Sequence, residues 1–249
     1  MLRNYDSLTG QTSFNCGDVA GHLFSVVIRV WSEGMVQKLK EFVRKHPLLL
    51  AVATVLYRPF SAWTNARKWR NLQRSEHIKL ELGSGPKNGV DGWTTIDLRE
   101  ADINFDLRWP VPLPDASVEM IYSSHMLEHI PYADLVPFIG ECKRLLKPGG
   151  VLSICVPNAG FYIRAYAEGR HFSEHDAQHG PAIVDTGSYL DQVNYIAYMA
   201  GQHTYMFDEE NLINTLKQGG FDGAELRAFD ATIDMQSRDF ESIYAIATK

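Results

Sequence analysis

The sequence predicts an α/β fold whose sheet is largely parallel. Strand-like and helix-like patterns alternate along the chain from Ile78 onward, and a glycine turn follows the first apolar strand. The chain has 249 residues, of which 45% are hydrophobic. This is enough apolar material for one substantial domain and an extension.

Apolar periodicity and turn residues predict the individual elements. Ile78, Leu80 and Leu82 alternate as a buried strand would. Asp208 is the expected N-cap of a late helix, because its short carboxylate can accept hydrogen bonds from first-turn amides, and Gly219 is expected to end that helix. The predicted strands lie near residues 78–82, 93–97, 118–123, 151–156, 221–229 and 241–248, and the predicted helices near 133–146 and 208–219.

The first 80 residues differ in charge from the rest of the chain. They contain 12 Lys and Arg against 5 Asp and Glu, a net charge of +7, whereas residues 81–249 contain 12 and 25, a net charge of −13. We expect residues 1–75 to form a basic, partly helical N-terminal extension and residues 76–249 to form the main domain. Helices packed on that domain are the preferred interpretation of the extension, contact with a membrane surface is the second, and nucleic acid is the least favoured partner.

The apolar run "LLLAVATVLY" at 48–57 is too short to span a bilayer, which requires about 20 residues. It favours a buried or interfacial helix. Residues 1–21 are polar, so no signal peptide is expected there. Cys16, Cys142 and Cys155 have no paired or metal-ligand spacing, which favours a reducing compartment. The predicted location is the cytoplasm, with attachment to the membrane periphery as the alternative.

The turn after the first strand has the composition of a ligand-binding loop. Gly83 and Gly85 allow the backbone to bend sharply and to approach a ligand closely, and Pro86 can open a short helix. Asp97 ends the next strand sooner than the roughly 20 residues expected of a NAD site. A carboxylate there can accept hydrogen bonds from ribose hydroxyls, so the turn predicts a nucleoside with a compact tail.

Three further stretches identify a family: "FDLRWPVPLPDASVEMIYSSHMLEHI", "ECKRLLKPGGVLSICVPN" and "HTYMFDEENLINTLKQGGF". In this order, after the glycine turn, they resemble the class I S-adenosylmethionine-dependent methyltransferases of the type 11 branch over residues 78–249. Within that branch, the chain looks most like bacterial enzymes of polysaccharide and glycan biosynthesis. The resemblance implies a Rossmann-like class I methyltransferase sheet with helices on both faces, next to the N-terminal helical extension, and S-adenosyl-L-methionine as cofactor.

The resemblance also implies positions for the cofactor. Glu81, Gly83 and Gly85 would line its amino-acid end, Asp97 would accept from the ribose hydroxyls, and Asp106 with Leu107 would lie at the adenine. The complete predicted set of cofactor-binding residues is Glu81, Gly83, Ser84, Gly85, Asp97, Leu98, Asp106, Leu107 and Ser123.

Two histidines are candidates for the catalytic base. Methyl transfer to a hydroxyl needs a group that removes a proton, and histidine is suited to this near neutral pH. His125 follows the third strand directly, next to the expected methyl group, and His203 precedes the helix at Asp208, on a segment that borders the acceptor pocket in relatives. The alternatives are that His125 orients its loop and that His203 is a hydrogen-bonded loop residue.

The stretch "HMLEH" has a second interpretation. His125, Glu128 and His129 are spaced i, i+3 and i+4 and would share one face of a helix, where they could gather a metal ion. A structural role for this stretch is the favoured interpretation, so no metal is predicted.

Residues 158–206 form the expected acceptor-side insertion or lid. Insertions of this kind usually supply the acceptor contacts in such folds. The aromatic and cationic side chains suited to a sugar or an anionic acceptor are Tyr162, Arg164, Tyr166, Arg170 and Tyr189.

The sequence thus predicts a methyltransferase that acts on a small molecule or glycan at a hydroxyl group. One alternative is a lipid or quinone methyltransferase that the basic extension holds at a membrane. Another is a non-catalytic subunit that binds the cofactor and serves as a partner in a complex. The intact set of cofactor residues argues against this last alternative.

Overall fold

The structure is a computed structural model, and it describes residues 65–171 and 185–249. The predictions for residues 1–64, which include most of the basic extension, the apolar run and Cys16, lie outside the described residues. The same holds for residues 172–184 of the predicted lid.

A seven-stranded mixed sheet organises the described residues, with the strand order β3-β2-β1-β4-β5-β7-β6. β1 to β5 run parallel to one another, and β7 runs antiparallel to both β5 and β6. The strands are β1 (Lys79–Leu82), β2 (Trp93–Asp97), β3 (Ile103–Asn104), β4 (Val118–Ser124), β5 (Leu146–Pro157), β6 (Glu225–Leu226) and β7 (Ser242–Thr248). The predicted Rossmann-like α/β fold with a largely parallel sheet is confirmed.

Helices pack against this sheet. Residues 65–72 are helical and are called α1 here. The other α-helices are α2 (Tyr132–Leu145), α3 (Ala159–Ala167), α4 (Leu190–Tyr198) and α5 (Glu209–Gln218), and 3-10 turns lie at Leu127–His129, Met199–Gly201 and Gln236–Glu241. The predictions of α2 and α5 are confirmed. α3 and α4 are not among the predicted elements, because their aromatic and polar content was interpreted as a lid. No helix of the described ranges is long and apolar enough to cross a membrane.

The ends of α5 agree with their residue types. The Asp208 side chain accepts a hydrogen bond from the Asn211 amide at 2.8 Å, and the Asn211 side chain accepts one from the Asp208 amide at 3.0 Å. This reciprocal pair satisfies two amides that would otherwise lack partners. Gly219 follows the helix, and a β-carbon there would lie 2.1 Å from Cγ2 of Ile139. Glycine therefore allows α5 to approach α2 closely.

Two predicted strands have different limits in the structure. Only Glu225–Leu226 pair in the region predicted as strand 221–229, because Phe221 and Ala224 are buried in the turn that leads into β6. β5 begins at Leu146 rather than near 151, and it contains the predicted glycine turn as a bulge. Val118 pairs with Leu146, whereas Met120 pairs with Val151. The β5 residues between Leu146 and Val151 therefore bulge out of the ladder.

α1 packs on the edge of the sheet that carries β3. Trp69 is buried in the main core, and its ring meets Phe105 edge-to-face with 5.5 Å between centroids. The Asn65 side chain donates to the Asn104 carbonyl oxygen at 2.8 Å, and Lys68 donates to the carbonyl oxygen of Asp102. The predicted domain boundary at residue 75 stays a prediction.

The packing of Trp69 predicts a large contribution to stability. Trp69→Ala is expected to lower the free energy of unfolding by about 3–5 kcal/mol, because it leaves a cavity against Phe105. Arg70 is exposed on the same helix, so Arg70→Ala is the matched control. It is expected to change the free energy of unfolding by less than about 0.5 kcal/mol. Urea denaturation of the full chain measures both. Equal effects of the two changes would mean that α1 does not belong to the folded core.

Candidate active site

The candidate site lies at the carboxyl end of the sheet, where β1 and β4 are neighbours. From β1 the chain continues to β2 and β3 on one side, whereas β4 and β5 lie on the other, so the strand order reverses between β1 and β4. Ligands of open α/β sheets bind in the crevice at such a reversal. The glycine turn after β1 therefore lies where a cofactor is expected.

Gly83 brings this turn into close contact with the segment that follows β4. Its φ of 70° lies in the left-handed region, and its amide donates to the Ile96 carbonyl oxygen at 2.8 Å. A β-carbon at this position would lie 2.1 Å from Cγ of Met126. Glycine meets both the conformational and the steric requirement without strain.

Asp97, at the end of β2, is joined to the same turn. The Gly85 amide donates to Asp97 Oδ2 at 2.9 Å, and Gly85 also has a positive φ, of 69°. Within the described residues this is the only hydrogen bond of the Asp97 carboxylate. The carboxylate is therefore fixed beside the turn, and its Oδ1 remains for hydroxyl donors such as those of a ribose.

Asp102 anchors the loop between β1 and β2, and the sequence analysis did not single it out. Its Oδ2 accepts hydrogen bonds from the Gly89 amide at 2.8 Å and from the amide and hydroxyl of Thr95, both at 3.1 Å. Burial acts to raise the pKa of Asp102, but these hydrogen bonds outweigh it and bring the pKa below its usual value. No local pattern marks this residue, because its partners lie 13 and 7 positions away.

Glu81 is paired across the turn. Its Oε1 lies 2.6 Å from Nζ of Lys87, and the Glu81 side chain is the more buried of the two. The Lys87 amide in turn donates to the Gly85 carbonyl oxygen at 2.9 Å. These contacts keep a carboxylate and an ammonium group next to the glycines. The contact of Glu81 with the amino-acid end of the cofactor stays a prediction.

Arg108 forms an ion pair with Asp106, the residue that was predicted to lie at the adenine of the cofactor. The Arg108 guanidinium donates to Asp106 Oδ1 at 2.9 Å and to Oδ2 at 2.6 Å. Burial acts to raise the pKa of Asp106, but the hydrogen bonds and charge of Arg108 outweigh it and bring the pKa below its usual value. The Asp106 carboxylate is thus already engaged within the chain, and its contact with adenine stays a prediction.

A pocket of about 250 Å³ opens next to Leu107, the other predicted adenine contact. Neither Gly83, Gly85 nor Asp97 lines this pocket, so it is distinct from the cleft expected at the glycine turn. Its walls are formed by Leu107, Arg108, Trp109, Pro110, Ile130 and residues of α2.

The remaining predicted cofactor residues have different surroundings. Ser123 is fully buried, and its hydroxyl donates to the Leu82 carbonyl oxygen at 3.0 Å, which ties the ends of β1 and β4 together. The Ser84 hydroxyl donates to the Gly85 carbonyl oxygen at 3.0 Å, and Leu98 is 49% exposed. Their cofactor contacts stay predictions, and the structure gives Ser123 a role within the sheet.

His125 lies directly after β4 in a left-handed conformation, with a φ of 51°. Its amide donates to the Cys155 carbonyl oxygen at 2.9 Å, and its Nε2 lies 2.8 Å from Oγ of Ser242. Because the Ser242 hydroxyl donates its hydrogen to the Arg238 carbonyl oxygen at 2.6 Å, Ser242 Oγ is left to accept from His125 Nε2–H. This assigns a hydrogen to Nε2 of the His125 ring.

His203 lies in a different environment. It is buried, its Nδ1 lies 2.7 Å from the Ile196 carbonyl oxygen, and its ring centroid is 5.0 Å from that of His129. Burial lowers the pKa of His203 below its usual value. His125 is thus linked to β7 through Ser242, whereas His203 is linked to α4 through Ile196.

The predicted acceptor-side residues divide into buried and exposed groups. Tyr162 is buried, and its hydroxyl donates to Glu241 Oε2, so it stabilises the packing of α3. Arg170 lies over the Phe161 ring with 5.9 Å between its guanidinium carbon and the ring centroid. Tyr166 and Tyr189 are 48% and 38% exposed and are available to a ligand.

Comparison with known proteins shows a similarity for part of the chain. Residues 78–154, from the start of β1 into β5, match the family described as a methyltransferase domain. The methyltransferase resemblance is confirmed over this stretch. A probable S-adenosylmethionine-dependent methyltransferase of Mycolicibacterium smegmatis is 32% identical over 98 residues, which covers 32% of this chain and 37% of that protein. One from Mycobacterium tuberculosis is 40% identical over 98 residues, with 32% and 35% covered.

The chain thus matches little more than a third of the length of these curated relatives. A solved structure of a SAM-dependent methyltransferase from Archaeoglobus fulgidus is 13% identical to it, with a TM-score of 0.43, and the match covers 75% of this chain and 92% of that one.

The contact between Gly83 and Met126 predicts the effect of a single methyl group. The left-handed backbone alone costs a residue with a β-carbon about 1–2 kcal/mol. Gly83→Ala is expected to lower the free energy of unfolding by more than this, because the new β-carbon also overlaps Met126. Gly92→Ala is the matched control, because Gly92 also has a positive φ but a β-carbon there meets nothing within 4 Å. Chemical denaturation measures both free energies of unfolding.

A second change separates steric overlap from strain. Met126→Ala in the Gly83→Ala background is expected to recover part of the loss, because it removes the overlapping side chain. Equal losses in Gly83→Ala and Gly92→Ala, with no recovery in the double variant, would show that the close approach of the two segments is unimportant.

Proposed function

We propose that the chain is an S-adenosylmethionine-dependent methyltransferase that acts on a hydroxyl group of a small molecule or glycan. The observation that carries the proposal is the glycine turn at the strand-order reversal, with Asp97 hydrogen-bonded to Gly85 beside it. Two positive-φ glycines allow a ligand to approach the backbone, and the fixed carboxylate can accept hydrogen bonds from ribose hydroxyls. The match of residues 78–154 to a methyltransferase domain supports this interpretation.

Each part of the site has a separate task in this proposal. S-adenosylmethionine supplies a methyl group that is already activated, so the chain has to align the acceptor and to remove its hydroxyl proton. His125 follows β4 at the same edge of the sheet as the glycine turn. We assign to it the role of base, with the acceptor proton taken by the imidazole as the oxygen–methyl bond forms. Ser242 holds the ring through Nε2.

The acceptor is proposed to bind against α3 and α4, within the segment 158–206. These helices contact each other through buried Ala159, Tyr162 and Ile196. Exposed tyrosine rings are well suited to pack against sugars or other small cyclic acceptors, because they combine an apolar face with a polar edge. Those near the segment's helices are Tyr166, Tyr189 and Tyr198. They support the glycan acceptor suggested by the resemblance to polysaccharide-associated enzymes.

A screen with the full chain tests the activity. The chain is incubated with S-adenosylmethionine and separate panels of sugars, phenols, phospholipids and quinols, and release of S-adenosylhomocysteine is measured. Release with sugars or other small hydroxyl compounds is expected. Release with lipids or quinols alone would favour the membrane-associated alternative, whereas cofactor binding without release for any panel would favour the non-catalytic alternative.

Cofactor binding has its own test. Asp97→Asn is expected to weaken binding of S-adenosylhomocysteine by about 1–3 kcal/mol, because the charged acceptor of the ribose hydroxyls is lost. Asp222→Asn, at an exposed position between α5 and β6, is the control and should bind as tightly as the unchanged chain. Isothermal titration calorimetry measures the affinity, and thermal unfolding checks that the turn is intact. Unchanged affinity in Asp97→Asn would refute the assignment of Asp97.

The role of His125 is tested with an asparagine, since asparagine tolerates the left-handed backbone of this position better than alanine does. Turnover of the acceptor found in the screen is expected to fall by about 10²–10⁴-fold in His125→Asn, with unchanged affinity for S-adenosylhomocysteine. Ser242→Ala, which removes only the support of the ring, should cause a smaller loss. Near-normal turnover in His125→Asn together with a large loss in His203→Ala would transfer the role to His203.

A further inference from the structure

A cluster of three metal-ligand side chains lies next to the candidate active site. Within the part of the chain that the structure describes, Glu128, His129 and His203 each offer one ligand atom, and these atoms all lie within 4.8 Å of one another. Nε2 of His129 is 3.8 Å from Oε1 of Glu128. His125, which the sequence grouped with Glu128 and His129, is directed to Ser242 instead, and His203 takes its place in the cluster.

Backbone carbonyl groups orient both imidazole rings. Nδ1 of His129 lies 3.0 Å from the Gln202 carbonyl oxygen, and Nδ1 of His203 lies 2.7 Å from the Ile196 carbonyl oxygen. A carbonyl oxygen can only accept, so Nδ1 carries the hydrogen in each ring. In the neutral form of each ring, the lone pair is then on Nε2. This is the arrangement of metal-binding histidines, whose other nitrogen typically donates to a carbonyl or carboxylate.

Glu128 supplies a second, independent observation. It is 2% exposed, and its Oε2 accepts no hydrogen bond from any described residue. A buried carboxylate oxygen without a donor is costly, and such groups in folded proteins normally have a partner. A cation held between this carboxylate and the two imidazole rings would compensate for its burial.

The backbone already holds the two ligand-bearing segments together. The Glu128 carbonyl oxygen accepts from the Thr204 amide at 2.8 Å and from the Thr204 hydroxyl at 3.1 Å. His203 is therefore fixed against the 3-10 turn that carries Glu128 and His129. Zinc bonds of about 2.0–2.2 Å bring tetrahedral ligands to about 3.4 Å from each other. The ligand atoms, which lie within 4.8 Å of one another, therefore have to approach one another only slightly to hold an ion.

We propose that Glu128, His129 and His203 form a binding site for a divalent transition-metal ion, with zinc as the best-fitting ion. Two imidazole nitrogens and one carboxylate oxygen are ligands that suit zinc, and three protein ligands leave a fourth position for water or another ligand. The side chain of His129 is 38% exposed, which gives an ion access from solvent. A bound ion would tie the segment that carries His203 to the end of β4.

Cobalt is the probe for this site, because Co²⁺ occupies zinc sites and gives visible absorption bands. The full chain, freed of metal with a chelator, is titrated with Co²⁺ and then with Zn²⁺, in the absence of any cofactor. One equivalent of Co²⁺ should bind with a tetrahedral spectrum, and Zn²⁺ should displace it. Zn²⁺ should also raise the thermal midpoint, since it binds the folded state.

Single changes decide which residues hold the ion. Glu128→Gln, His129→Ala and His203→Ala are each expected to weaken Co²⁺ binding by at least about 100-fold, since changes to supporting groups alone cost about 10–100-fold. His77→Ala is the matched control. His77 is exposed and lies 2.7 Å from Glu119, so it resembles a surface histidine–carboxylate pair outside the cluster, and its loss should leave binding unchanged.

Two results would overturn the proposal. One is unchanged Co²⁺ binding in all three variants, and the other is equal loss in His77→Ala, which would indicate adsorption to surface histidines. Far-ultraviolet circular dichroism checks folding, and His129→Ala decides the question if a buried variant is unfolded, because His129 is exposed. The test uses no cofactor or acceptor, so its failure would leave the proposed methyltransferase function untouched.

Discussion

The hydrogen bond from the Gly85 amide to the Asp97 carboxylate fixes the geometry on which the candidate site depends. It joins the ends of β1 and β2, which are paired in the parallel register that places Leu82 beside Ile96. Because its acceptor is a carboxylate, it is stronger than a hydrogen bond between neutral groups. Asp102 supports the same arrangement, because its carboxylate accepts hydrogen bonds from the Gly89 amide in the loop and from the Thr95 amide in β2.

A second constraint acts between β1 and β4. The Gly83 backbone approaches Met126 so closely that a β-carbon is excluded, and Ser123 ties the adjacent strand ends together through the Leu82 carbonyl oxygen. Met126 is two residues before Glu128, so the glycine turn and the proposed metal ligands belong to one packed region. A displacement of either segment is therefore expected to affect both sites, since packed interiors transmit strain.

Local patterns were sufficient to predict much of this arrangement. The β1, β2 and β4 strands and the α5 helix were predicted close to their observed limits, because apolar alternation and the Asp208 cap act over a few residues. The α3 and α4 helices were missed, since their buried residues are few and pack mainly against each other. The predicted strand 221–229 was too long, because burial of Phe221 in a turn resembles burial in a strand.

The sequence by itself determined the α/β class, the glycine turn, Asp97 and the position of His125, because each depends on residues that are close in the chain. Only the tertiary structure decided the contacts of those residues. Ser242 lies 117 positions from His125, and Thr204 lies 76 positions from Glu128. These pairs meet because β7 inserts beside β5 and the chain after α4 returns to the end of β4. Such adjacency is a property of strand order, and local periodicity carries no information about it.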